Sequence, residues 1–372
     1  MFILYTVLVF SINMKHLIRS VIVATGSYVP EQVITSSYFS DHQFFEKNGK
    51  PVAKSNAVIL DQFKNITEIE ERRYAKTEQK TSDLGYLAAK DALESSGIDG
   101  ETLDYIIVAH NFGDITAGSN RVDMVPTLAA RIKQLLPIKN PDCVAYDLPF
   151  GCPGWVEGMI QANYYLKSGD AKRCMVIGAE VLSRITDPHD RDAMIYADGA
   201  GAVILEAVAD SGTGILSHKT QSHAVDYADL LTMGSSYHPE KASDDNLYIK
   251  MNGRKLYEYA LIHVPQVIKI ALDKANTSLY DIKKVLIHQA NGKMDTAIMQ
   301  RVFKLYGEEG FPAELMPMNI SHYGNSSVAT IPTLLDEILK GKMDGQTINP
   351  GDKILFASVG AGMNINAIVY QN

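Results

Sequence analysis

The second half of this 372-residue chain repeats the first half, and this repeat narrows the folds open to it. Each half contains, in the same order, a helix that leads into an apolar strand with a polar tip, a turn that starts a helix, and a glycine turn before a last apolar strand. Three similarities in one order are not expected by chance. We therefore predict two similar α/β layers packed face to face, with their equivalent loops meeting at the junction. The matching segments are 92–111 with 271–291, the turn at Cys152 with 318–327, and 198–203 with 359–363.

Apolar runs rich in β-branched residues predict strands, and the amphipathic runs between them predict helices. Residues 82–96 predict a helix that Ser82 caps, with an apolar face that includes Leu84 and Leu87. Strands of continuous apolar residues separated by helices indicate a sheet covered on both faces. The predicted strands are 20–25, 105–109, 143–147, 175–178 and 202–205.

We predict one half over residues 14–207 and the other over 208–372, with residues 1–13 as an extension outside the fold. Apolar runs in 1–13 resemble a signal peptide, but no Lys or Arg precedes them and no small-residue cleavage pattern follows. The run is also shorter than a membrane span, and Met14 followed by Lys15 would make a natural start. A true N-terminal element is the alternative.

Charge and cysteine usage exclude several classes of partner and site. The formal net charge is −8 and no block of Lys and Arg is long enough to neutralise a phosphate backbone, which argues against nucleic acid. The three cysteines, Cys143, Cys152 and Cys174, lack Cys-x-x-Cys spacing, and their odd number fits a reducing cytoplasm. The histidines are scattered without ligand spacing, so we predict no bound metal.

Cys152 stands between a predicted strand that ends near Asp147 and a helix predicted to begin around Pro153. A sulfur at a helix N-terminus faces unpaired backbone N–H groups and the positive end of the helix dipole, which favour the thiolate. Gly151 and Gly154 allow a sharp turn and leave room for a substrate. A free cysteine is more often a small apolar filler, but this setting favours a nucleophile.

A series of motifs in this chain resembles the β-ketoacyl-acyl-carrier-protein synthase III group of the thiolase superfamily, from about Ile18 to Tyr370. The resemblance implies an α/β fold of the thiolase type, with a duplicated five-layer α-β-α-β-α architecture. It also implies a homodimer that pairs through the strand at 143–147. Each motif alone is only moderately specific, and their common order carries the resemblance. The motifs are 25–31, 81–84, the Cys152 turn, 198–202, 288–291, 324–327 and 360–362.

The resemblance implies a decarboxylative Claisen condensation in fatty acid or polyketide-type biosynthesis. Cys152 would hold an acyl group as a thioester, because a soft nucleophile can also leave. His288 and Asn325 would donate hydrogen bonds to the enolate that forms when a malonyl thioester loses CO₂. Backbone N–H groups of Cys152 and of the turn at Ala361 and Gly362 would hold the acyl oxyanion. No cofactor is implied beyond the substrate's phosphopantetheine arm, carried by CoA or by acyl carrier protein.

Three further residues match family positions along the route of that arm, and two more would extend its rim. Arg191 matches an arginine that lies over the nucleotide of CoA, although a solvated loop arginine is an equal alternative. Gly253 and Tyr257 match positions at the mouth of the tunnel, and Asn291 and Lys293 would extend its rim. An acidic carrier protein could be attracted by exposed basic residues, which solvated helix faces explain equally well. These are Arg254, Lys255, Lys293, Arg301 and Lys304.

Two departures from the family pattern bear on the substrate. Gln62 and Ile66 stand where a tryptophan and an arginine usually grip the CoA nucleotide, so loading from acyl carrier protein is favoured. Val125 stands where a bulky aromatic of the dimer partner often closes the acyl channel, and residues 114–123 resemble an insertion. We therefore predict a medium or long acyl chain as the primer.

Other interpretations of the same residues remain. A specialised ketosynthase could join two acyl or β-ketoacyl thioesters in dialkylresorcinol or polyene pigment biosynthesis, and an acyltransferase could stop before carbon–carbon bond formation. A degradative thiolase would need a second cysteine in the turn at 360–362, and a papain-like protease would need a different sequence around Cys152. A scaffold or lipid-binding protein without activity would be expected to have lost Cys152, His288 or Asn325, and this chain has all three. His110 and His322 are interpreted as structural.

Overall fold

Two central sheets organise residues 17–372, the part of the chain that the computed structural model describes. The predicted extension at 1–13 lies outside the described residues. The strands are β1 (Ile18–Tyr28), β2 (Gln32–Thr35), β3 (Glu71–Tyr74), β4 (Tyr105–His110), β5 (Asp114–Ile115), β6 (Val122–Asp123), β7 (Val144–Pro149), β8 (Arg173–Val181), β9 (Asp198–Ala209), β10 (Gly214–Ser222), β11 (Leu231–Gly234), β12 (Tyr248–Met251), β13 (Ile282–Ile287), β14 (Lys353–Gly360) and β15 (Asn364–Gln371).

The two sheets share one strand pattern. The first sheet has the order β1-β9-β8-β4-β7, in which β4 runs parallel to β7 and β8 while β9 is antiparallel to both of its neighbours. The second has the order β10-β15-β14-β13, in which β13 is parallel to β14 and β15 is antiparallel to both of its neighbours. Four successive strands therefore agree in order and direction, as the sequence repeat leads one to expect. The domain boundaries at 13/14 and 207/208 stay predictions.

The helices form three layers around these sheets. Helices α2 and α3 cover the outer face of the first sheet, α4 and α9 lie between the sheets, and α6 and α7 cover the outer face of the second. This is the five-layer architecture that the family resemblance implies. The helices are α1 (Asn56–Thr67), α2 (Thr81–Ser96), α3 (Leu128–Leu135), α4 (Gly154–Ser168), α5 (Ala224–Tyr227), α6 (Gly253–Lys274), α7 (Gly292–Lys304), α8 (Ile320–Tyr323) and α9 (Thr330–Leu339).

The central layer buries large apolar side chains against both sheets. Trp155 of α4 is buried there and packs edge-on against Phe356 of β14, with ring centroids 5.8 Å apart. Burying such large side chains is the main force that joins the halves. The loops at one end of both sheets are thereby brought to the same place.

The predicted strands and the predicted helix at 82–96 all occur, with local corrections. Ser82 does not cap α2: the helix begins at Thr81, the Asp83 carboxylate accepts from the Lys80 N–H, and Ser82 instead binds Asp114 through its N–H and its hydroxyl. The segment 114–123, predicted as an insertion, contains the paired strands β5 and β6.

A further correction concerns the segment before Asn325, where the repeat predicts a strand. Residues 317–319 belong to no strand. The Gln289 side chain takes the place of a neighbouring strand, because its Oε1 accepts from the N–H groups of Asn319 and Ile320 at 2.9 and 2.8 Å. The backbone N–H groups of this segment therefore have hydrogen-bond partners although no neighbouring strand pairs with it.

Candidate active site

Cys152 lies in the short turn between β7 and α4. Gly151 has a φ of 69°, the left-handed region that glycine adopts without strain, and Pro153 takes the N-cap position of α4 rather than the predicted first helical position. The end of β14 packs directly on this turn: a Cβ added to Gly360 would lie 2.8 Å from the Cβ of Cys152. The second half of the chain therefore supports the cysteine turn of the first.

His288 follows β13, and its backbone N–H donates to the Ala357 carbonyl at 2.8 Å. The ring is buried, which lowers its pKa to about 4, so the imidazole is neutral near pH 7. Its Nδ1 lies 2.9 Å from Thr330 Oγ1, and that hydroxyl also reaches the Ser327 carbonyl at 3.0 Å. The Thr330 hydroxyl can donate to His288 Nδ1, or it can donate to the Ser327 carbonyl and accept from Nδ1–H. Both neutral tautomers of the ring are therefore stabilised, and Nε2 can accept or donate a proton.

Asn325 belongs to the second half but is fixed to the first. Its N–H donates to the Ile195 carbonyl at 3.0 Å, and its own carbonyl accepts from the Ala197 N–H at 2.9 Å. The side-chain Oδ1 accepts from the Ser327 N–H at 2.8 Å. The acceptor end of the amide is thereby occupied, which leaves the Nδ2 hydrogens for a ligand.

These three side chains line one small cavity of about 40 Å³, here called the cysteine chamber. The chamber shares Met251, Leu256, Met294 and other residues with a cavity of about 560 Å³, the entrance cavity, which has exposed residues at its rim. It also shares Asn111, Leu231 and Ile249 with a cavity of about 190 Å³, here called the inner cavity, which opens to the surface at Thr232 and Met233. A route therefore runs from the surface to Cys152 and beyond it.

Four of the residues predicted to contact the pantetheine arm line the entrance cavity. Asn291 has a second role, because its side chain caps α7 by accepting from the Met294 N–H at 3.1 Å. Gln62 and Ile66, the two departures from the family pattern, line the same cavity. The four predicted residues are Arg191, Gly253, Tyr257 and Asn291.

The remaining predicted residues lie elsewhere. Lys293 is exposed on α7 and is not among the residues that line the entrance cavity, and Val125 is 86% exposed and lines none of the three cavities of its own chain. Ala361 lines the inner cavity, whereas Gly362 forms the turn with a φ of 75° and lines none of the three. The five residues of the predicted basic rim are all exposed.

Electrostatics correct the expectation of a resting thiolate. Burial raises the pKa of the Cys152 thiol to about 11, although a hydrogen bond from the Ser327 side chain acts in the opposite direction. Burial in this chamber therefore favours the thiol over the thiolate as the resting group. Acylation then needs a proton acceptor, and the neutral His288 ring lines the same chamber.

Sequence reasoning missed Ser327 and Thr330, which touch the predicted catalytic residues. A signal was present, since Ser327 closes the motif 324–327 and Thr330 lies one turn further on. His110, by contrast, is structural as predicted: its Nδ1 accepts from the Gly113 N–H at 3.0 Å, and its Nε2 lies 3.1 Å from Asp147 Oδ2.

Within residues 17–372, no group of three or more His, Cys, Asp or Glu side chains is arranged to hold a metal ion. None of the helices in that range is both long and apolar enough to cross a membrane. The absence of a cofactor stays a prediction.

The chain is similar to known proteins over nearly its whole length. Residues 146–224 match the family of 3-oxoacyl-[acyl-carrier-protein] synthase III, and residues 272–372 match the C-terminal region of that family. A β-ketoacyl-[acyl-carrier-protein] synthase III from Staphylococcus aureus (strain Newman) is 32% identical over 348 residues, which are 93% of this chain and 96% of the relative. One from Erythrobacter litoralis (strain HTCC2594) is 31% identical over 94% of this chain and 98% of the relative.

Solved structures agree with these relatives. The crystal structure of a β-ketoacyl-[acyl carrier protein] synthase III from Thermus thermophilus covers 95% of this chain and 99% of its own, at 31% identity and a TM-score of 0.78. A 3-oxoacyl-[acyl-carrier-protein] synthase III from Aquifex aeolicus covers 95% and 100%, at 28% identity and a TM-score of 0.76. The chain belongs to the β-ketoacyl-acyl-carrier-protein synthase III family.

Proposed function

We propose that this protein is a condensing enzyme that loads an acyl group onto Cys152 and extends it with a malonyl carrier thioester. The observation that carries the proposal is the meeting of Cys152, His288 and Asn325 in one chamber, at the inner end of an entrance cavity. A soft nucleophile and two buried side chains that can donate hydrogen bonds are the groups that such a reaction requires.

In the loading step, the Cys152 sulfur attacks the carbonyl of an acyl thioester. The thiol proton passes to His288 Nε2, while Nδ1 is held by Thr330. The new carbon–sulfur bond replaces the bond to the carrier, whose thiolate leaves and takes the proton from His288. The acyl chain then extends into the inner cavity.

In the condensation step, a malonyl thioester loses CO₂, and the electron pair of the broken bond forms an enolate. The Nε2–H of His288 and the Nδ2 hydrogens of Asn325 stabilise its oxygen. The enolate carbon attacks the acyl carbonyl on Cys152, and the carbon–sulfur bond breaks to release a β-ketoacyl carrier. The Cys152 thiolate then takes up a proton, which its pKa of about 11 favours.

The cavities support a primer longer than acetyl. The inner cavity is lined by apolar residues that include Phe112, Leu231, Met233 and Ile249. Its volume of about 190 Å³ is several times the roughly 30 Å³ that one water occupies in the liquid, so it can take more than a methyl group. The cavity therefore supports a primer with more carbons than acetyl.

The entrance supports loading from acyl carrier protein rather than from CoA. Gln62 accepts a hydrogen bond from Lys54 at 2.7 Å, and Ile66 is 58% exposed at the rim. Neither side chain can stack on an adenine ring or form a bidentate contact with a phosphate. The nucleotide of CoA would therefore find neither a stacking partner nor a bidentate phosphate contact here. An acyl carrier protein has no such nucleotide and does not depend on these contacts.

Intact-protein mass spectrometry tests this proposal. The protein is incubated with acetyl, hexanoyl and decanoyl primers, each as the CoA and the carrier-protein thioester, and malonyl carrier protein is then added. We expect the longer carrier-bound primers to acylate Cys152 fastest and a β-ketoacyl carrier to appear afterwards. The absence of an adduct at Cys152 with every primer would overturn the proposal. An adduct that forms but never yields a longer chain would show that the protein is an acyltransferase that does not catalyse condensation.

We also propose that the protein is a cytoplasmic homodimer. Cys143, Cys152 and Cys174 are all free, which suits a reducing compartment. Strand β7 is an edge strand of the first sheet, and Val144 on it is 47% exposed, as apolar residues at an interface are. In the dimer, Val125 would reach the inner cavity of the partner.

Light scattering tests the dimer, with an expected mass of twice the 40.9 kDa of one chain. Val144→Lys places a charge on the edge strand and should shift the protein to monomer at micromolar concentration. Val225→Lys is the matched control. Val225 is also an exposed valine, at 99%, but it lies on α5 and not on the edge strand β7. A monomeric wild-type protein, or equal effects of both substitutions, would contradict the proposed interface.

A further inference from the structure

Asn111 occupies a position beside the nucleophile that the reaction described above does not use. It follows directly on β4 and lines both the cysteine chamber and the inner cavity. A polar amide between two largely apolar spaces must satisfy its hydrogen bonds inside the protein. Its partners therefore indicate its role.

Two of those bonds hold Asn111 to Glu180. The Asn111 N–H donates to Glu180 Oε1 at 2.6 Å, and the side-chain Nδ2 donates to the same oxygen. Glu180 lies on β8 and is 1% exposed, so this carboxyl group is fixed by the sheet itself. The backbone and the side chain of Asn111 are thereby both held by the same oxygen of Glu180.

The other Nδ2 hydrogen of Asn111 reaches Ser327, whose Oγ lies 2.8 Å away. Ser327 has a φ of 54°, a left-handed conformation that costs a non-glycine residue energy and is retained where the surroundings demand it. Its N–H orients Asn325, and its side chain lines the cysteine chamber together with Cys152, whose pKa it lowers. Because the Asn111 amide donates to this oxygen, the hydroxyl proton of Ser327 stays available for another acceptor in the chamber.

We propose that Asn111, clamped by Glu180, is a positioning residue that aims the Ser327 hydroxyl at the Cys152 sulfur and so stabilises the thiolate during loading and release. Hydrogen bonds run from Glu180 through Asn111 to Ser327, and Ser327 lines the cysteine chamber together with Cys152. The inference rests on the proposed function only in taking Cys152 as the nucleophile. It gives Asn111, at the end of β4, a role in the reaction beside the three predicted catalytic residues Cys152, His288 and Asn325.

Several titratable groups face this chain of bonds. Glu180 has a pKa raised to about 8 by burial and by the nearby Asp198, so it is mainly uncharged at pH 7. Its ionisation in alkaline solution raises the pKa of Cys152 by repulsion. Tyr196 and His288 also line the cysteine chamber. The burial of both rings keeps them neutral near pH 7, so neither supplies a charge that replaces the Ser327 hydroxyl.

The test is the rate of Cys152 alkylation by iodoacetamide, followed by mass spectrometry from about pH 7 to about pH 10. We expect Ser327→Ala to slow alkylation about tenfold at each pH, because the thiolate loses one hydrogen bond. Asn111→Ala should slow it about three- to tenfold. The double variant should match Ser327→Ala alone, since Asn111 acts through that hydroxyl.

Further variants separate positioning from general damage to the fold. Glu180→Gln keeps an acceptor for Asn111 and should hold alkylation within about threefold of wild type at pH 7, whereas Glu180→Ala should resemble Asn111→Ala. Asn111→Ser keeps a polar side chain that is too short to bridge, and it replaces Asn111→Ala if that variant does not fold. The matched control is Ser20→Ala, which breaks a similar buried bond of 2.9 Å to Asn163 away from the chamber.

Two results would overturn the inference. One is an effect of Asn111→Ala that multiplies with that of Ser327→Ala in the double variant. The other is alkylation in Asn111→Ala and Asn111→Ser that equals the Ser20→Ala control. A wild-type protein that is alkylated at Cys152 but accepts no acyl primer would instead refute the proposed function and leave this inference standing.

Discussion

Replacing Cys152 by alanine is expected to abolish both the acyl-enzyme and the condensation product, with a loss of activity of at least about 10³-fold. No other thiol can take over, because Cys143 and Cys174 are buried, with 1% and 0% exposure, and neither lines the cysteine chamber. The measurement is β-ketoacyl carrier formation together with the intact mass of the protein after incubation with primer.

The matched control is Cys143→Ala, which removes a buried thiol of the first half. We expect it to retain acylation and condensation, at a cost in stability of about 1 kcal/mol for the small cavity. Product formation by Cys152→Ala at a tenth of the wild-type rate or more would contradict covalent catalysis through this sulfur.

Removing the two proposed enolate donors is expected to separate the two half-reactions. Asn325→Ala should slow condensation by about 10²- to 10³-fold while loading of Cys152 stays within about threefold of wild type, because the amide faces only the enolate. His288→Ala should slow both steps, since the same ring accepts the thiol proton and later donates to the enolate.

Asn319→Ala is the control for these substitutions. Asn319 lies directly before α8, on the other side of that helix from Asn325, and its side chain donates to Glu337 at 2.7 Å and lines none of the three cavities. We expect wild-type rates from it in both steps. If Asn325→Ala slowed loading as much as condensation, the amide would be acting on the cysteine rather than on the enolate.

The repeat and the apolar pattern of the chain were enough to predict the architecture. Matching segments of one order imply two matching layers, since each layer needs another to bury its apolar face. The same repeat suggested which loops would meet, and Cys152, His288 and Asn325 do line one chamber. Local prediction failed where a side chain from elsewhere took over, as Gln289 does before Asn325 and Asp114 does at Ser82.

The state of the nucleophile could not be predicted in the same way. A helix N-terminus can be read from sequence, but the burial that raises the pKa of Cys152 comes from strands and loops distant in the chain. Val125 illustrates a second limit, because a residue that would act on a partner subunit lines none of the three cavities described above in its own chain.

By itself, the order of residues determined the duplicated layers, the cysteine turn and the motifs that mark the family, because these depend on periodicity and on neighbours along the chain. Only the tertiary structure decided the protonation of the thiol and the bonds from Glu180 through Asn111 to Ser327. Desolvation and hydrogen-bond geometry depend on distances in space, and residues up to 216 positions apart in this chain meet to set them.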